Sequence, residues 1–323
     1  MNGFKTKSRT TCRIGGPLGD QRGIALLLTL VVLVLLTAVI VEFDYGAKVN
    51  LITAGNFRDD IQATYLAKSG VAAARAVLKD DAIHSRQSDD LTEFWARPFP
   101  PYPVGEGFVS VEITDEAGKI NVNRLGDKTP QARDDVEKML KRLLLVLEIE
   151  PELVNPIVEA MKNWVDPDIS HDCYEDAYYQ RQDPPYRCKK GPMDSLSELL
   201  LVKGMTPEIY RKIRPYLTTV SMQANPININ TADLPVLQAL SGDTSDINRE
   251  LAMHIQDQRP YSAPSDFFKA AGVCSTGTVC SRQINVKSNY FTVKSHGIMH
   301  ETEKVVTALI ERDANKIISW QAE

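Results

Sequence analysis

IALLLTLVVLVLLTAVIV, residues 24–41, governs how the rest of the chain is read: 18 consecutive uncharged residues in which only Thr29 and Thr37 are polar. Wound as an α-helix at about 1.5 Å per residue, the run is roughly 27 Å long, close to the hydrocarbon thickness of a bilayer. Its flanks set the direction. Lys5, Lys7, Arg9, Arg13 and Arg22 precede it against one acid, Asp20, whereas Glu42 and Asp44 follow it. The positive-inside bias therefore holds residues 1–23 on the cytoplasmic side and places the remainder across the membrane. Over all 323 residues, 43% hydrophobic and 24% charged are ordinary globular values, which exclude collagen-like, coiled-coil and wholly disordered classes. The formal charge of -5 offers no general attraction to nucleic-acid backbones.

Three readings of the N-terminus compete. A secretory signal peptide would end in a small-x-small site, where the chain instead has Glu42-Phe43-Asp44. An uncleaved anchor is the second. The third starts from Gly23, which follows Arg22 and stands directly before the apolar run behind a polar, basic leader. That layout resembles the class III signal of type IV pilins and pseudopilins, in which prepilin peptidase cuts after the glycine and the new N-terminus, here Ile24, is methylated. Removing residues 1–23 leaves 32 basic and 41 acidic side chains, a formal charge of -9. From Ile24 to about Asp80 there is no proline, and Ile61, Tyr65, Leu66, Val71, Ala74 and Leu78 recur at helical spacing. The pattern predicts one helix of more than 50 residues; the alternative is two helices hinged at Gly46 or Gly55.

Beyond the proline-rich stretch 98–103, residues 107–124 alternate as strands, with a turn at Glu116-Ala117-Gly118 before Ile120 and Val122. Near the C-terminus YFTVKSHGIMHETEKVVTALIER reads as two strands around His296-Gly297, with a last strand or helix near 317–320. Residues between about 127 and 273 read as short capped helices, near 134–147, 151–165, 195–201, 207–216, 232–240 and 248–258. This part contains a repeat: KINVN at 119–123 matches PININ at 226–230, and each match is followed by a pair of helices and a further hairpin. Asn230, with Thr231 and Asp233, suits capping of the helix that follows. Such pairs resemble helix-hairpin-helix or SAM-like units, and ININTAD also resembles competence-type DNA receptors. Phosphate gripping by that motif needs glycine-rich hairpins beside basic residues. Here the hairpins read LEIEP and SGDTSD, and only Lys203-Gly204-Met205 comes near. A membrane-anchored DNA receptor is therefore the second functional reading, behind packing units that bind no nucleic acid.

Residues 163–188, NWVDPDISHDCYEDAYYQRQDPPYRC, crowd acids among aromatic residues. Hard oxygen donors at this density suit Ca2+, although the spacing is not an EF-hand: counting from Asp166, His171 stands where glycine is needed and Ala177 where glutamate is. Neither a nucleophile nor an oxyanion arrangement accompanies the acids, so no enzyme is expected. Cys12 lies in the leader, and Cys173, Cys188, Cys274 and Cys280 lie on the exported side, where disulfides form. Four cysteines allow three pairings; proximity favours Cys173 with Cys188 and Cys274 with Cys280.

Together the Gly23 junction, NWVDPD with YEDAYY and PPY, SELLLVKGM and PININTAD resemble the minor pseudopilin K family of type II secretion systems. The resemblance implies an α+β fold: a pilin-like long N-terminal helix on a small antiparallel sheet, carrying a large inserted all-α domain. Its expected divisions are a leader at 1–23, a transmembrane stretch at 24–41, a pilin-like unit at 42–125 and 274–323, and the insert at 126–273. It implies Ca2+ held by Asp166, Asp168, Glu175 and Asp176. It also implies a single-pass inner-membrane protein with its C-terminal domain in the periplasm, partnered by I- and J-type minor pseudopilins, prepilin peptidase, and the secretin or exoprotein substrates. Most pilins keep a glutamate at the fifth mature position, and here that residue is Leu28. A subunit without this carboxylate has nothing to offer the amine of a subunit above it, which implies a place at the filament tip.

Overall fold

The structure, a computed structural model, describes residues 21–84, 88–167, 175–220, 226–244, 246–272, 274 and 278–323. Two compact units divide the chain after Asp59. Helix α1 (Gln21–His84) runs without a break through Gly46 and Gly55, so neither glycine is a hinge. In the first unit its apolar side chains are exposed, Leu26 at 72% and Ile40 at 67% among them. The hydroxyls of Thr29 and Thr37 donate to the carbonyl oxygens of Leu26 and Leu33, each at 2.8 Å. Every polar group of the apolar stretch is thereby satisfied within the helix, as a hydrocarbon environment requires.

In the second unit a five-stranded antiparallel sheet forms from β1 (Tyr102–Val104), β2 (Gly107–Asp115), β7 (Tyr290–Met299), β8 (Thr302–Glu311) and β9 (Lys316–Ala322), in that spatial order. The turn joining β7 and β8 is at His300-Glu301, with His300 at φ 53°, and not at His296-Gly297 as the sequence suggested. Gly297 lies inside β7 for a packing reason. A Cβ there would sit 2.0 Å from the carbonyl oxygen of Ala63 and 2.4 Å from the amide nitrogen of Ala67, so only glycine lets the helix backbone touch the strand. The buried stripe of α1 is accordingly small: Ala63, Ala67, Gly70, Val71, Ala74 and Leu78. Ile61 and Tyr65, expected on this face, are exposed at 39% and 67%, because a helix held this close leaves no room for large side chains. Leu78, Trp95, Phe291, Val306 and Ile310 complete the core of this sheet layer, with Trp95 and Phe291 edge to face at 5.0 Å.

Between β2 and β7 lies the helical part: β3 (Ile120–Asn121), α2 (Pro130–Val146), α3 (Pro151–Val165), α4 (Asp176–Tyr179), α5 (Pro207–Ile213), β4 (Leu217–Thr218), β5 (Ile227–Asn228), α6 (Leu234–Ala239), α7 (Arg249–Asp257), α8 (Pro264–Ala271), α9 (Val279–Gln283) and β6 (Ile284–Asn285). The expected β2–β3 hairpin does not form. After Asp115 the chain leaves the sheet, and β3 pairs in parallel with β4. A second hydrophobic core reaches from Ile120 to Val286, so this domain takes in residues on both sides of the expected limits 126–273. Helices α2 and α6, equivalent in the two repeats, pack on each other across its centre.

Candidate functional site

The sequence repeat is reproduced bond for bond. In each copy the first asparagine lies at the end of a two-residue parallel strand, β3 on β4 and β5 on β6. The Oδ1 atoms of Asn121 and Asn228 accept from the amides of Asn123 and Asn230, both at 3.0 Å. The second asparagine is a clamp and not a helix cap, as had been expected of Asn230. Asn123 Nδ2 donates to Met193 O at 3.0 Å while its Oδ1 accepts from Met193 N at 2.7 Å. Asn230 does the same with Tyr261, at 3.0 and 2.8 Å. A buried backbone needs each of these bonds, which explains why the fully enclosed side chains are asparagines. The clamped residues lie 70 positions away in the first repeat and 31 in the second. The surplus is spent on longer helices and on the acidic, aromatic segment after α3, which the second repeat lacks.

That segment holds the expected cation ligands. Asp166 follows α3, mostly buried, with Oδ2 3.2 Å from Nη1 of Arg133. Glu175 is buried, and both its oxygens accept from Asn163 Nδ2, at 3.2 and 3.1 Å. Asp176 begins α4 and accepts the amide of Cys188 at 3.0 Å. Asp168 and Cys173 lie outside the described residues. Tyr179 and Tyr186 stack at 5.3 Å, and Trp164 meets Tyr179 edge to face at 5.4 Å, fixing both ends of the segment against the core. Cys188 is buried with Sγ 3.2 Å from Asn163 O, and Cys274 and Cys280 form a disulfide with their Cα atoms 5.4 Å apart. Among the described residues, the acids whose oxygens all approach within 4.8 Å are Asp81, Asp89 and Glu93, which the sequence did not single out. Arg312 occupies that cluster, with Nη1 2.8 Å from Asp81 and 2.6 Å from Asp89. Its signal in sequence would have required knowing that residues 81 and 312 are neighbours.

The hairpin at Lys203-Gly204-Met205 turns its amides inward: Lys203 N donates to Tyr179 Oη at 3.3 Å and Met205 N to Val202 O at 3.1 Å. Its backbone is thus engaged in holding the aromatic cluster, not presented as an anion cradle.

Where the sheet meets the helical domain, Asp115 is buried and takes the hydroxyls of Thr231 and Ser288, at 2.5 and 2.6 Å, and the Nδ2 of Asn228 at 3.3 Å. Its other oxygen accepts from Ala117 N at 2.8 Å. Loss of solvent outweighs these bonds and raises its pKa to about 6. Asn228 therefore serves twice, as the turn-former of the second repeat and as the bridge to the sheet. On α2, Asp135 is likewise enclosed; Arg282 Nε donates to it at 2.8 Å and Gln283 Nε2 at 3.0 Å, both from α9 directly after the disulfide. Here hydrogen bonds from Arg282 and Gln283, with the guanidinium charge, outweigh burial and hold the carboxyl below its usual range.

At the other end of the chain Gly23, Ile24 and Leu28 all lie within α1, Ile24 and Leu28 exposed at 67% and 61%. Nothing approaches a Cβ placed at Gly23. Residues 1–20 of the expected leader lie outside the described residues.

Residues 118–222, the first repeat with its acidic segment, match the family model described as Type II secretion system (T2SS), protein K. Type II secretion system protein K of Pseudomonas aeruginosa is 29% identical over 306 residues, 90% of this chain and 89% of the relative. The Klebsiella pneumoniae protein of the same name is 30% identical over 217 residues, 65% of this chain and 66% of the relative. The fold is similar to a chain in the crystal structure of the GspK-GspI-GspJ complex from the enterotoxigenic Escherichia coli type 2 secretion system, with a TM-score of 0.73 and 23% identity over 84% of this chain and 99% of that one. With the long helix, the antiparallel sheet and the inserted helical repeats, these matches establish that the chain belongs to the type II secretion system protein K family.

Proposed function

We propose that the protein is the minor pseudopilin that caps the tip of the type II secretion pseudopilus and initiates its assembly, for export of folded proteins across the outer membrane. The observation that carries the reading is Leu28. The fifth residue after Gly23 is apolar and exposed on a helix whose residues 24–41 are all uncharged, so the chain supplies no carboxylate there to a subunit stacked above it. The bulk of the inserted domain adds steric opposition to such stacking. In this reading α1 anchors the precursor in the inner membrane, prepilin peptidase cuts between Gly23 and Ile24, and the periplasmic part assembles with I- and J-type minor pseudopilins. The architecture shared with the chain from the GspK-GspI-GspJ complex supports that partnership. Immunogold labelling of sheared pseudopili with an antibody to the helical domain should decorate one end of each filament; label along the shaft would refute the cap.

The segment after α3 is read as a structural Ca2+ site. Asp166 at one end of the connection and Glu175 and Asp176 at the other, with Asp168 between them in sequence, would supply hard carboxylate oxygens, the donor chemistry this ion takes. Bound there, Ca2+ would neutralise carboxylates gathered beside the Trp164–Tyr179–Tyr186 cluster and tie the end of α3 to α4.

A further inference from the structure

The two edges of the sheet differ. β1 is three residues long with Pro103 at its centre, and proline cannot donate to an added strand. β9 is seven residues long, contains no proline and leaves Ile318 and Trp320 exposed at 45% and 43%. A proline-free edge of this length presents outward N–H and C=O groups that are a template for another strand.

A register shift shapes this edge further. Ser319 pairs with Leu309 and Ile317 with Ile310, so Ile318 has no counterpart in β8. The bulge places Ile317 and Trp320 on the same face, the one covered by α1, although they are three residues apart. There they form one wall of a groove of about 360 Å³ whose opposite wall is the α1 stripe carrying Lys68, Val71, Arg75 and Lys79. No acid lines it among the described residues. Arg75 is spent on Asn315, through Nε and Nη2 at 2.7 and 2.6 Å, which holds the start of β9 to the helix. Lys68 lies 5.4 Å from the Tyr65 ring centroid, and Lys79 is exposed. In a chain of net negative charge this is a local basic rim beside an apolar floor.

We propose that β9 accepts an extended segment of a partner protein as a sixth strand, and that acidic side chains of that segment meet Lys68 and Lys79 while an apolar one fills the groove against Trp320. Backbone pairing supplies the affinity and the groove the selectivity. The inference rests on the edge and the groove and is independent of the tip and calcium readings.

Trp320 is the reporter, since Trp95 and Trp164, the other tryptophans, are buried at 1% and 3% exposure. A proline-free ten-residue peptide of valine, threonine and aspartate, titrated into the detergent-solubilised full chain, should give a saturable blue shift of tryptophan emission that Trp320→Phe abolishes. The same peptide with lysine for aspartate should give none, and alternate N-methylation of the aspartate peptide should remove at least nine-tenths of the response. The joint replacement of Lys68 and Lys79 by Glu should weaken the aspartate peptide at least tenfold with an unchanged melting temperature. The absence of any shift, an equal response to the lysine peptide, or full binding of the N-methylated peptide would each overturn the proposal; the last would mean side-chain docking without strand addition.

Discussion

Replacing Gly297 by Ala tests whether the helix–sheet contact depends on backbone proximity. The new Cβ would stand 2.0 Å from Ala63 O and 2.4 Å from Ala67 N, and 3.0 Å from Leu66 Cβ. Ordinary carbon contacts begin near 3.4 Å, so α1 must retreat by about 1.4 Å at this point. Neither obstacle is a side chain that can rotate away. The cost therefore falls at the upper end of overpacking, about 3 kcal/mol, and the retreat also loosens Ala67, Val71 and Ala74 from the sheet. Gly55→Ala is the control: it is also on α1 but meets nothing within 4 Å, and in a helix interior it should stabilise by about 0.5–1 kcal/mol. Urea denaturation of the detergent-solubilised protein, followed by near-UV circular dichroism, reads both. A Gly297→Ala variant within about 1 kcal/mol of the parent would mean that helix and strand are not in backbone contact, and the packing argument would fail.

Asp115 makes stability depend on pH. Its carboxyl, with a folded pKa of about 6 against an ordinary 3.8, binds its proton more tightly in the folded protein. The resulting stabilisation, about 3 kcal/mol, is complete below pH 4 and is lost as pH rises through 6. Asp115→Asn should flatten that part of the unfolding free energy, and an unchanged slope between pH 4 and 7 would count against it. Asn123→Ala and Asn230→Ala each orphan one buried N–H and one buried C=O, so each should cost about 2–4 kcal/mol in the same denaturation experiment. Joint replacement of Asp166 and Glu175 by Ala should abolish any rise in melting temperature on adding Ca2+; a rise equal to the parent's would move the ion elsewhere. Mass spectrometry of the membrane-extracted protein should find methylated Ile24 at the N-terminus, and any other terminus would sink the pseudopilin processing.

The sequence announced the long helix through the length of its apolar run and the absence of proline, and both are local properties. It announced the repeat because strand ends that need asparagine repeat the same letters. Pairing was harder to see. Ile120 alternates with its neighbours as a hairpin strand would, yet Asp115 ends β2 and the partner of β3 is nearly a hundred residues away at Leu217. The helix face was misjudged because hydrophobic spacing favours Ile61 and Tyr65, whereas close contact with Gly297 selects alanine and glycine. Of the expected ligands, Asp166, Glu175 and Asp176 do flank one segment, as proximity in sequence dictates. The Asp89–Arg312 pair and the Asp115 junction were invisible for the opposite reason, since each joins residues more than a hundred positions apart.

The unequal repeats have a consequence for how this molecule can change. The second copy closes its clamp across 31 residues, so a connection of that length is enough to complete the unit. Everything the first copy adds is held between two fixed points, Asn123 and Met193, whose geometry does not depend on what lies between them. Such a segment can be rewritten, lengthened or recruited to a new ligand while the duplicate beside it keeps the scaffold in register. Evolution has in effect been given a spare copy to elaborate, and the same two anchor points mark where an engineer could splice in a reporter.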